Sequence, residues 1–65
     1  MKKYYSSTIK RSLIEDCYDG WRSNNIQRLI DDIQKEHPNA VLTTVLQTIS
    51  SNEHIFFSVI MEEDV

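Results

Sequence analysis

Cysteine, glycine and proline each occur only once in this sequence, and each scarcity excludes something. The lone Cys17 cannot close an internal disulfide, which fits a reducing compartment and a small apolar role for the thiol. One glycine, Gly20, rules out a glycine-rich phosphate cradle. Clustered metal ligands are missing too: Cys17, His37 and His54 stand apart, so no metal site is expected. Asp31 and Asp32 are adjacent in a helical pattern and point about 100° apart, so they are not a ready carboxylate pair. No apolar run approaches a membrane span, and none follows Met1-Lys2-Lys3 as a secretory signal requires. The expectation is a cytoplasmic protein without catalytic residues, cofactor or metal.

What is present suits one small domain. The chain has 65 residues, 40% of them hydrophobic and 26% charged, an ordinary globular balance. A chain this short is at the small end of what folds alone, and burying more surface in an oligomer is a common remedy.

The most informative stretch is Ala40 to Glu63. It reads as two strands, near 40–50 and 54–62, joined by a polar turn. Ile55, Phe57, Val59 and Met61 recur at the two-residue period of a pleated strand. With Ser51 and Asn52 as the turn residues, Ser50 falls opposite Glu53. Leu46 then meets Phe57, Leu42 meets Met61, Thr48 meets Ile55 and Thr44 meets Val59. That face should take a helix. The other face would carry Val41, Val45, Ile49, Phe56 and Ile60, too apolar to meet water alone.

A helix is expected near 24–36. Ile26, Leu29, Ile30 and Ile33 follow the i, i+3, i+4, i+7 spacing of a single face. Asn24 is a candidate N-cap with Gln27 three residues on, and His37-Pro38 ends the helix. Trp21, just before that cap, reads as a strand–helix junction residue or part of a contact surface. Residues 3–13 favour a strand by residue type, with Tyr5, Ile9 and Leu13 on one side. From Ile9 onward the pattern also fits a helix. The fold expected is α+β, a β-α-β-β domain with one helix on an antiparallel sheet, with α-α-β-β as the alternative. The tail Glu62-Glu63-Asp64-Val65 reads as a frayed acidic end.

Charge is unevenly placed. Residues 1–28 hold six Lys/Arg against three acids, and residues 29–65 hold Lys35 against seven acids. The basic and aromatic N-terminal segment (Lys2, Lys3, Tyr4, Tyr5, Lys10, Arg11) has the composition of a nucleic-acid stacking platform. The net charge of -3 and the acidic end of the hairpin argue against that use.

The strand–helix–strand–strand order in this length resembles that of dodecins, small flavin-storing oligomers. The resemblance is one of layout and implies an α+β oligomer. The flavin-stacking Trp expected on the second strand has no counterpart in Ala40–Ser50, so no flavin site is carried over.

The functional expectation is a small non-enzymatic interaction protein. It would self-associate through its sheet, as a homodimer or larger homo-oligomer, and regulate or inhibit a protein partner. The expected interface is Val41, Val45, Ile49, Phe56, Ile60 and Trp21. The alternative is an oligomeric carrier that encloses a flat aromatic ligand with Tyr4, Tyr5 or Trp21.

Overall fold

The computed structural model describes residues 1–15, 18–50 and 53–65. The readings made above for Cys17 and for Ser51 and Asn52 lie outside the described residues. Four elements follow in order: β1 (Lys2–Ser12), α1 (Trp21–Glu36), β2 (Val41–Ile49) and β3 (His54–Asp64). They form a small α+β domain in which one helix packs on a three-stranded antiparallel sheet of order β1-β3-β2. The first segment is therefore a strand, and the two-helix alternative does not apply.

β3 is the central strand because its sequence suits burial on one side along its whole length. Ile55, Phe57, Val59 and Met61 are each no more than 1% exposed, while Phe56, Ser58, Ile60 and Glu62 between them are half-buried. Leu29 and Ile33 of α1 and Ala40 complete the core, flanked by Tyr5, Ile9, Leu13, Trp21, Ile26 and Ile30. The stripe expected for α1 thus meets the expected face of β3. The molecule is thin, with principal extents of 41 × 21 × 14 Å, as two layers require.

α1 starts three residues before the expected position. Gly20 adopts the left-handed conformation (φ 79°) and its carbonyl accepts from the Asn24 N–H at 2.9 Å. No side chain caps this end, so Asn24 lies inside the helix and is not its cap. Trp21 becomes the first helical residue and sets its ring edge-on to Phe57, with centroids 5.3 Å apart. At the other end, the His37 N–H donates to the Ile33 carbonyl, and the Ala40 N–H to the His37 carbonyl, turning the chain into β2.

The acidic tail is not frayed. β3 runs to Asp64, with Lys2 opposite Asp64 and Lys3 opposite Glu63. Lys2 Nζ lies 2.6 Å from Glu62 Oε1. Its ammonium is held above the usual lysine range, first by that hydrogen bond and then by the attraction of the Glu62 charge. The basic and acidic segments therefore meet within one chain.

The hairpin register differs from the expected one. Val41 opposite Glu62 and Leu42 opposite Met61 are as read from sequence. From Thr44 to Ile49 every pair is moved by one: Thr44 faces Ile60, Val45 faces Val59, Leu46 faces Ser58 and Ile49 faces Ile55. Two features produce the shift. Ser50 closes on His54, its N–H donating to that carbonyl at 2.9 Å, and Glu53 takes φ 60°, the geometry of a longer hairpin loop. A bulge between Leu42 and Thr44 then absorbs the extra residue. Thr43 Oγ1 donates to the Ile60 carbonyl there at 3.0 Å.

Candidate interaction surface

Opposed residues of an antiparallel pair share a face, so the shift redistributes the expected interface. Val45 and Ile49 belong to the helix side, with Val59 and Ile55. Val41, Phe56 and Ile60 belong to the open side and are joined there by Leu46. Leu46, Thr44 and Thr48, expected under the helix, are on the open side instead. Trp21 is the half-buried first residue of α1, its ring set against Phe57 on the helix side. The six residues expected to form one patch are thus divided between the two faces of the sheet.

Three of the six, Val41, Val45 and Ile49, belong to β2. All nine of its residues are exposed. Val41, Leu42, Val45, Leu46 and Ile49 make up half of the ten large hydrophobic side chains exposed among the described residues. The helix causes this by where it sits. α1 packs over β1 and β3, leaving β2 beyond its edge. On the helix side, Leu42, Val45 and Ile49, with Gln47 between the last two, form an uncovered and largely apolar shelf. Asp32 and Glu36 line the β1 side of α1 with Tyr5 and Ser7. Ile30, two residues from Asp32, projects roughly 160° from it around the axis. The half-buried Ile26 and Ile30 therefore border the shelf along β2.

The two sheet edges contrast in charge. β1 carries Lys2, Lys3, Lys10 and Arg11 and no acid, the usual guard of an exposed edge. β2, sequence VLTTVLQTI, has no charged residue and no proline.

The open face is more mixed than the sequence suggested. Ser6, Thr8, Thr44, Thr48 and Ser58 run among Tyr4, Leu46, Phe56 and Ile60, and the Thr8 and Ser58 hydroxyls share a 2.8 Å hydrogen bond. Such a face tolerates water better than an all-apolar one.

A second feature lies at the opposite edge. Tyr5 stacks on His37, with ring centroids 3.7 Å apart and planes 12° from parallel. Its hydroxyl donates to Glu63 Oε1 at 3.0 Å, and His37 Nδ1 is 3.9 Å from the same oxygen. Desolvation, and then the Glu63 carboxylate, push the Tyr5 phenol above its usual range. The adjoining cleft holds about 240 Å³, below the roughly 300–1,000 Å³ of small-molecule sites. Tyr5 and Trp21, expected as ligand-stacking rings, are both engaged with rings of their own chain.

One polar residue was not singled out from sequence. Asn25 is only 5% exposed. Its Oδ1 accepts from Arg11 Nε at 3.0 Å and its Nδ2 donates to the Trp21 carbonyl at 2.7 Å. It ties β1 to the first turn of α1. The only available signal was its place one turn after Trp21.

Among the described residues, no group of three or more His, Cys, Asp or Glu is placed to hold a metal ion. No described helix is long and apolar enough to cross a membrane. Comparison with protein-family models, with curated proteins and with solved structures gives no match for this chain.

Proposed function

We propose that this chain is a non-enzymatic interaction protein that self-associates through its sheet and regulates or inhibits a protein partner. The observation that carries the reading is that every residue of β2 is exposed, with apolar side chains on both faces and no charge. An exposed, apolar edge strand is a template for pairing with another chain, and contiguous exposed apolar surface marks interaction sites. The cleft beside Tyr5 is small, and its ring is already stacked, so a flat-ligand carrier has less support.

Light scattering across micromolar concentrations tests the self-association. The expected mass exceeds the 7.7 kDa of one chain, and a constant single-chain mass would refute it. The partner half is tested by affinity capture with wild type and with a Val45→Lys variant. A bound protein released by the substitution supports a sheet-mediated contact, and capture unaffected by it contradicts one.

A further inference from the structure

We infer that β2 pairs antiparallel with β2 of a second copy about a two-fold axis at Gln47, making one continuous six-stranded sheet. This inference rests on the self-association proposed above and specifies its occupant and geometry.

The backbone fixes which groups are available. The Ser50 N–H donates to the His54 carbonyl, so Ser50 and His54 form a hydrogen-bonded pair. Such pairs alternate along an antiparallel ladder. Thr48, Leu46 and Thr44 therefore direct their N–H and C=O groups toward β3. Val45, Gln47 and Ile49 direct theirs outward, to the edge. The bulge at Thr43 bends the strand and ends the straight pairing edge at Thr44.

Symmetry narrows the register. A two-fold perpendicular to the sheet keeps each face on its own side, so only residues of one face can oppose each other. Centring on Val45 would set Gln47 against the bulge. Centring on Leu46 would set Ile49 against it. Centring on Gln47 uses all three outward residues: Gln47 opposes the partner's Gln47, and Val45 opposes the partner's Ile49, twice. That arrangement makes six backbone hydrogen bonds and two cross-strand pairs of β-branched apolar residues on the helix side.

Charge selects a second copy as the occupant. β2 has no charge to repel its own image, whereas β1 carries four basic residues and no acid. A β1-to-β2 contact would be head-to-tail and would not close, while the β2 contact is isologous and does. The shelf of Val45 and Ile49, bordered by Ile26 and Ile30, then abuts the same shelf of the second copy. A standard interface takes about 800 Å² from each partner, a modest share of the 4593 Å² chain surface.

Single cysteines introduced into a Cys17→Ser background test the register. The opposed residues on the two-fold have Cα atoms about 5.5 Å apart, within disulfide reach, and positions one residue away exceed the roughly 7 Å limit. Under mild oxidation, Gln47→Cys should give a reducible dimer in high yield, and Leu46→Cys and Thr48→Cys little. Preferential cross-linking at Leu46 or Thr48 would overturn the register. A dimeric mass with no cross-link at any of the three would overturn edge pairing but leave self-association standing. A monomeric mass in all variants and in wild type would remove both.

Discussion

Val45 and Val59 lie directly across the ladder from one another on the same face, yet Val59 is fully buried and Val45 is 40% exposed. The boundary of the helical roof runs between them. One amphipathic helix of 16 residues covers two strands, and the third is left outside. Everything proposed for this chain follows from that mismatch between roof and floor.

Two leucines separate folding from association. Leu29 is 2% exposed and Leu46 is 49% exposed. Leu29→Ala should cost about 2–5 kcal/mol by cavity formation. Leu46→Ala should cost about 0.5 kcal/mol in a dilute, monomeric sample. Urea unfolding of both variants measures the difference, and equal losses would mean that Leu46 is buried in the isolated chain.

Asn25 is the buried polar tie between β1 and α1. Asn25→Ala removes the acceptor of Arg11 Nε and the donor to the Trp21 carbonyl. The expected loss is about 1–3 kcal/mol, the range for orphaned buried partners. Arg11→Ala in the same background should then add little, because the interaction is already broken. A double-mutant cycle by urea unfolding checks this.

Gly20 holds φ 79° at the helix start. A Cβ there would meet nothing closer than Asn24 Nδ2 at 3.9 Å, so space is not the obstacle. Gly20→Ala should still lose roughly 1–2 kcal/mol, the cost of a left-handed non-glycine residue. A thermal unfolding scan of the variant measures that loss, and unchanged stability would contradict the assigned backbone.

Alkali should loosen the sheet at its β1 end. Both Lys2 and Tyr5 are raised above their ordinary values of 10.5 and 10.0, so in each case the fold favours the protonated form. Their contribution is complete below those values and is lost as pH rises through the raised ones. The phenolate absorbance missing from a Tyr5→Phe variant should, by difference, titrate above pH 10.0. A difference curve centred below that would contradict the desolvation of the Tyr5 phenol and its Glu63 hydrogen bond.

Much of this arrangement was legible in the sequence, for identifiable reasons. Ile26, Leu29, Ile30 and Ile33 announced the helix because a single stripe needs no knowledge of its partner. Ile55, Phe57, Val59 and Met61 announced the buried face of β3 in the same way. Tyr5 and Ile9 proved to be on the core side, as their alternation suggested. The register was harder, because it depends on a loop conformation at Glu53 and a bulge at Thr43 that no local pattern encodes. One added residue moved Val45 and Ile49 to the helix side and Leu46 to the open side. The helix start was obscured because Gly20 leads directly into Trp21 with no side-chain cap to mark it. Asn25 was hidden because its value lies in Arg11, a partner 14 residues away.

Amide hydrogen exchange along β2 tests the central claim most directly. Thr44, Leu46 and Thr48 should be protected at every concentration, because β3 holds their N–H groups. Val45, Gln47 and Ile49 should be protected at high concentration and lose that protection on dilution as the second copy departs. If those three amides exchange freely in a sample whose measured mass is that of two chains, the edge of β2 is not where the copies meet.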